Sequence, residues 1–342
     1  MAGSNSSKRR GIRDGIGRRL LLLAVASISA GELGAQEAPL QQEQPLRVTV
    51  NRVSVGVTVS DSHGKFVSGL SKKDFRVFDN GVEQPIADFL SVEEPAQFLL
   101  LIESGPPVFL FSKNHILAAD SLLSSVAPED RVALATYSRG PNLVLDFTAD
   151  KGTARLALRS IDFRSGFGEL DLFSTISAAI GKLAPLAGKK TIVLLSTGLD
   201  TSSNVDWQSL LPKLQVSDVR IISVSLAGDI RKPAKKGKLT PEEKNARTEL
   251  KKGFAEADGS LRGLANATGG RVYFAKDAKD FKKAYAEIAE LLRHEYSIAF
   301  APTAFDGKVH TLRVEVKKRG VRVDHRPAYL AAAATGTGPA VK

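Results

Sequence analysis

Hydrophobic positions follow two different periods along this chain. "LRVTVNRVSVGVTVSD" (46–61) alternates apolar and polar residues, the pattern of one long or two short half-buried strands. "DSHGK" follows as a turn. "DFRVFDNGVEQPIADFLSV" (74–92) places Asn80-Gly81 between two short strands, which predicts a hairpin. The same alternation returns near the other end, in "EYSIAFAP" (295–302), "VHTLRVEVKK" (309–318) and "VRVDHRPAYL" (321–330).

Between these segments the strands are built on continuous apolar runs. "FLLLIE" (98–103), "RVALATYS" (131–138), "KKTIVLLST" (189–197), "VRIISVSLAG" (219–228) and "RVYFA" (271–275) are separated by helical patterns at 112–126, from Lys151, at 172–186, at 205–217 and at 278–294. "NLVLDFT" (142–148) follows its predecessor closely enough to pair with it as a hairpin. Apolar strands alternating with helices predict an α/β fold with a doubly wound, mostly parallel, Rossmann-like sheet. The two β segments that flank it have too few strands for a core of their own. They are expected to pack together, so that the α/β domain (96–294) is an insertion in a small β-sandwich-like module built from residues 46–95 and 295–332. Residues 333–342 read as a disordered tail.

Of the 342 residues 43% are hydrophobic and 25% charged, an ordinary globular composition for about two domains. The first residues stand apart. Lys8, Arg9, Arg10, Arg13, Arg18 and Arg19 precede the apolar run "LLLLAVASISA" (20–30), and "ELGAQ" offers a cleavage site after Ala35. That run is too short to span a bilayer, so residues 1–35 are expected to be a cleaved signal peptide, followed by a glutamine-rich linker at 36–45. Its six basic and two acidic residues carry away four of the eleven net positive charges. The remaining surface is mildly basic and not a nucleic-acid footprint. The protein is expected to be periplasmic or secreted, with no membrane span in its mature form. There is no cysteine, which excludes disulfides, thiol chemistry and a lipidated cysteine anchor.

The ordered features resemble a known group. A β module is followed by an apolar strand ending in an acid, an "FT"-ended hairpin, the "GELDLFSTI" helix start, the strand end "LLSTGLDTSS" and the β tail "YSIAFAPTAFDGKVHTLRVEV". This set, over about residues 46–332, resembles exported bacterial proteins with a von Willebrand factor A-type (vWA) domain, the VWFA-related group described from acidobacteria. The resemblance implies a protein-binding or adhesion module whose ion site draws on D-x-S-x-S, on the threonine of a G-G-T-x-L loop and on the aspartate of a T-D-G strand end. Carried over, these positions fall on Glu103, Gly105, Pro107, Leu170 and Thr197. Gly105, Pro107 and Leu170 have no side-chain oxygen, and glutamate is one methylene longer than aspartate. Because Mg2+ requires near-ideal octahedral oxygen coordination, the expected site is degenerate and holds no metal.

The alternative is a rebuilt Mg2+ site from Glu103, Ser104, Asp171 and Asp200. Against it, Asp171 also reads as a helix-start acid favoured by the macrodipole and Asp200 as a turn residue. The expected partner-binding face comprises Glu103 to Pro107, "RSGFGELD" (164–171) and "TGLDTSS" (197–203), with Glu103, Ser104, Phe167, Asp171, Thr197 and Asp200 as its candidate residues. Phe167 reads either as an exposed anchor or as a side chain folded onto the core. The partner is expected to be a protein of the cell envelope or outside the cell; a purely structural role in the envelope is the third reading.

Enzyme chemistry finds little support. His63, His115, His294, His310 and His325 share no ligand spacing, no serine lies in G-x-S-x-G, and "GFGEL" lacks the Lys-Ser/Thr of a phosphate loop. The stretch 229–252 carries nine Lys/Arg against four acidic residues and reads as a solvated loop, with a short helix begun at Thr240-Pro241-Glu242-Glu243, or as a docking site for an acidic partner.

Overall fold

A computed structural model of the protein describes residues 52–93, 95–109, 112–163, 165, 168–186, 189–228 and 240–331. The expected signal peptide, the linker, residues 46–51, Phe167, residues 229–239 and the tail lie outside the described residues.

The apolar strands form one six-stranded sheet. They are β5 (Gln97–Glu103), β6 (Arg131–Tyr137), β7 (Pro141–Thr148), β8 (Lys190–Ser196), β9 (Val219–Ser225) and β10 (Val272–Tyr273), in the order β10-β9-β8-β5-β6-β7. β7 runs antiparallel to β6, and the other pairings are parallel. Helices cover both faces of the inner strands β5, β6, β8 and β9, whose residues are nearly all buried. Phe98, Leu100 and Ile102 of β5 point into a cluster with Leu122 and Leu123 of α2 (Ser112–Ser125), Leu158 of α3 (Lys151–Arg159) and Tyr285 and Ile288 of α7 (Ala278–Arg293). Leu99 and Leu101 face the other way. They join Leu172 and Ile176 of α4 (Leu172–Leu183), Leu210 and Leu214 of α5 (Trp207–Val216) and Leu261 and Leu264 of α6 (Pro241–Ala267). A four-residue helix, α1 (Pro106–Phe109), follows β5 directly. Among the described residues no helix is long and apolar enough to cross a membrane.

From β5 the chain winds through α2 to β6 on one side, then returns through α3 and α4 to β8 on the other. The winding direction therefore reverses between β5 and β8. In open α/β sheets the crevice at the carboxyl end of such a reversal is where ligands bind.

The flanking segments build two antiparallel sheets, each of which takes strands from both ends of the sequence. β1 (Val53–Ser60) and β4 (Ile86–Glu93) sit with β11 (His294–Phe300) and β13 (Arg322–Asp324) in the order β13-β1-β11-β4. β2 (Phe75–Asp79) and β3 (Val82–Gln84) sit with β12 (Val309–Val316) and β14 (Ala328–Leu330) in the order β14-β12-β2-β3. One apolar cluster joins Val55, Val57, Tyr296 and Ile298 of the first sheet to Phe75, Val77, Leu312 and Val314 of the second. Asn80 (φ 49°) and Gly81 (φ 84°) form the expected tight turn, both in the left-handed region that a primed hairpin turn needs.

Two predicted strands are corrected by proline. The run after Gly81 breaks at Pro85 into β3 and β4, and 321–330 breaks before Pro327 into β13 and β14. In both cases the halves belong to different sheets. A proline has no N–H for the ladder, so it marks where a strand crosses from one sheet to the other.

The basic stretch differs more. In place of a short helix, α6 runs 27 residues from Pro241 to Ala267. Three glycines lower its helix propensity, but Gly263 lets the Trp207 ring approach: a Cβ there would lie 2.8 Å from Cη2. Its second half is buried through Ala257, Leu261, Leu264 and Ala265, while the described side chains between Pro241 and Lys252 are exposed. Brief trypsin treatment is expected to cut first between Arg231 and Lys252 and to leave the two halves associated. Protection of Lys244, Lys251 and Lys252 equal to that of the core, by mass spectrometry of the fragments, would contradict this.

Candidate functional site

β5 ends on Glu103 and β8 on Ser196, so the switch crevice begins at these two residues. Glu103 is fully buried. Its Oε2 accepts from the Thr197 N–H at 2.7 Å and the Thr197 hydroxyl at 2.8 Å, and lies 3.1 Å from the Ser196 hydroxyl and 3.2 Å from the Tyr137 hydroxyl. Tyr137 and Ser196 are also 2.6 Å apart, and Ser196 accepts from the Gly198 N–H at 2.8 Å. Burial raises the Glu103 pKa above its ordinary 4.5, and the bonds from Thr197, Ser196 and Tyr137 oppose that rise. The same burial, together with the neighbouring Glu103 charge, raises the Tyr137 phenol.

The carboxylate thus ties β5 to β8 and β6 from inside the crevice. Glu103 and Thr197, both read from the sequence as surface residues of the binding face, are corrected here: each is 0% exposed, with its oxygens spent on the other. Ser104 is buried as well, its hydroxyl and its N–H both donating to the Tyr137 carbonyl. Tyr137 and Ser196 were missed as site residues. The signal available was a phenol and a hydroxyl inside otherwise apolar strands, where each needs a partner.

Beside this network the crevice is filled by hydrocarbon. Leu170 is 1% exposed, and a Cβ built on Gly105 would lie 2.6 Å from its Cδ2. The Leu170 backbone is fixed by Thr201, whose hydroxyl accepts its N–H at 2.8 Å and whose own N–H donates to its carbonyl at 2.8 Å.

Asp171 and Asp200 meet at the start of α4, where they serve the helix. The Leu172 N–H donates to Asp200 Oδ1 (2.8 Å), the Phe173 N–H to Ser203 Oγ (3.0 Å) and the Ser174 N–H to Asp171 Oδ1 (3.1 Å). The Ser203 hydroxyl lies 2.6 Å from Asp171 Oδ1 and 2.5 Å from Asp200 Oδ1. Three otherwise orphaned N–H groups are capped, two from the 200–203 loop and one by the N-cap Asp171 itself, in a position where negative charge is favoured by the helix dipole. Asp171 is therefore the helix-start acid that its position suggests, and Asp200 caps across the loop in addition to turning it. Ser203 and Thr201 had no marker beyond a hydroxyl-rich loop.

At the positions that the resemblance assigns to an ion, the oxygens present are engaged within the protein. Glu103 is held by Thr197, Ser196 and Tyr137, Thr197 gives its hydroxyl proton to Glu103, the side chains of Gly105 and Pro107 bring no oxygen, and Leu170 packs against Gly105. Among the described residues no group of three or more Asp, Glu or His gathers as metal ligands, so Glu103, Asp171 and Asp200 do not form one set. The exposed rim over the crevice is instead polar: Arg139 and Glu169, both largely exposed, approach to 3.7 Å, and Thr201 lies open beside them.

No protein-family model matches the chain, and no curated protein matches it. Solved structures do. BatB of Bacteroides thetaiotaomicron, a conserved hypothetical protein, is 14% identical, covering 57% of this chain and 98% of its own at a TM-score of 0.41. A von Willebrand factor type A protein of Catenulispora acidiphila is 12% identical (79% and 76% covered, TM-score 0.41). The ArnB paralog VWA2 of Sulfolobus acidocaldarius is 13% identical (82% and 76%, TM-score 0.39).

Proposed function

We propose that this chain is an exported, non-enzymatic vWA-type module that binds a protein partner in the cell envelope or outside the cell, without a metal ion. The observation that carries this reading is the internally closed crevice: Glu103 is satisfied by Thr197 and the Ser196–Tyr137 hydroxyl pair, and Leu170 packs against Gly105. With the strongest attraction for a partner's carboxylate absent, affinity is left to the exposed loops above it, among them Arg139, Glu169 and Thr201. In the same reading the α/β domain is inserted in one β-sandwich, made by the two flanking segments and anchored to the domain by Arg220 and Arg271.

The test is capture of envelope proteins on immobilised full-length protein, with and without chelator, alongside calorimetry with Mg2+ and Mn2+. The reading expects a partner retained in chelator and lost on charge reversal at Arg139 and Glu169, with no saturable ion binding below the millimolar range. A partner released by chelator, or an ion-binding heat abolished in Glu103→Ala, would sink it.

The hydrocarbon filling makes a further prediction. Gly105→Ser should cost about 1 to 3 kcal/mol, because the new Cβ must displace Leu170. Gly105→Ser with Leu170→Thr should recover part of that loss, which a double-mutant cycle on urea melts would show as a favourable coupling. Additive losses would mean that Leu170 does not fill the space the introduced hydroxymethyl group needs.

A further inference from the structure

At the opposite, amino-terminal edge of the central sheet a cleft of about 370 Å³ lies between the starts of β8 and β9 and the outer face of β1, β11 and β4. That size is in the range of small-ligand sites, which favour the junctions of substructures. Its walls are hydroxyls and charges. Ser54 and Ser297 face each other at 3.3 Å, and Lys189, Lys190, Arg220 and Arg326 line it against only two acids, Asp218 and Glu295.

Both acids are already matched. Lys190 Nζ lies 2.6 Å from Asp218, and Arg220 Nη2 lies 3.1 Å from Glu295 while its Nη1 donates to the Thr58 hydroxyl. Gly56 gives that ion pair its room, since a Cβ there would lie 2.6 Å from the Glu295 carboxylate. Arg326 differs from the others. It forms no ion pair among the described residues; its Nη2 donates to the Ser54 carbonyl, and its Nε is buried with no hydrogen-bond partner.

We propose that this cleft binds a small oxyanion, a carboxylate or a phosphate, seated on Arg326. A guanidinium presents its N–H groups as a planar fork that matches two oxygens of such a group. A buried donor left unmatched is costly, and an anion drawn onto the guanidinium supplies the missing acceptor. Burial depresses the Arg326 pKa, and the nearby Asp218 charge opposes that fall. Ser54 and Ser297 add hydroxyl donors on the facing sheet.

Calorimetry on the full-length protein with inorganic phosphate and, separately, succinate tests this. One saturable site with Kd below about 1 mM is expected for at least one probe, and the tighter of the two identifies the chemical source. Arg326→Gln and Ser297→Asp, the second placing a carboxylate inside the cleft, should each weaken binding at least about ten-fold while keeping a cooperative thermal transition. If Arg326→Gln does not fold, Ser297→Asp decides. Absence of saturation with both probes up to about 10 mM, or wild-type affinity in folded Ser297→Asp, overturns the proposal.

Discussion

Glu103→Ala will lower stability by about 3 to 5 kcal/mol, because the Thr197 N–H and at least one hydroxyl lose a buried acceptor at about 1 to 3 kcal/mol each, and a void is left behind. Glu103→Gln behaves differently, since it keeps the shape and an accepting oxygen. Its comparison with the wild type isolates the charge. Well below pH 4.5 the acid is protonated in the folded and the unfolded chain alike. As pH rises past 4.5 the unfolded chain releases its proton first, because burial holds the folded pKa higher, and the wild type loses stability until the folded group has also ionised. The stability of Glu103→Gln relative to wild type should therefore rise with pH above 4.5 and then level off. Urea melts from pH 4 to 9 measure it. A relative stability that falls over that window would mean that the network holds the charged form.

Asp324→Ala will cost about as much, roughly 3 to 5 kcal/mol, for another reason: it strands a buried charge. Arg271 is 6% exposed at its side chain, donates from Nε to Asp324 at 2.7 Å and from Nη2 to Ser60 at 2.5 Å, and joins the β9–β10 edge of the central sheet to β1 and β13. The backbones come close at the same place. Gly269 (φ +69°) would put a Cβ 2.2 Å from the His325 carbonyl carbon, so the chain passes there only without a side chain. Arg322 also reaches Asp324, but from an exposed position, and Arg322→Ala should cost no more than about 1 kcal/mol. Replacing Arg271 and Asp324 together by Met and Leu should recover most of the loss. A single Asp324→Ala that melts within a degree of wild type would show that Arg271 is solvated in solution.

The sequence by itself determined the class of fold, because its evidence is local. A strand covered on both faces reads as a continuous apolar run, and "FLLLI" and "IVLL" do. A primed turn needs left-handed residues, and Asn80-Gly81 supplies them. The acid ending β5 could be placed at the functional edge from pattern alone, and so could the absence of oxygens at Gly105, Pro107 and Leu170. What those residues do could not. Whether Glu103 meets solvent or a buried hydrogen-bond network depends on Tyr137, Ser196 and Thr197, which lie 34 to 94 positions away and reach it only through strand register. Asp171 and Asp200 are neighbours because Ser203 and the start of α4 converge on them. Pro85 and Pro327 look like ordinary strand ends until each sheet is seen to need strands from both ends of the chain. The cleft around Arg326 joins residues from 54 to 326. Periodicity reports which face of an element is buried. What lies against that face is decided by long-range packing, and at the crevice it turned a surface acid of the sequence into a buried tie between strands.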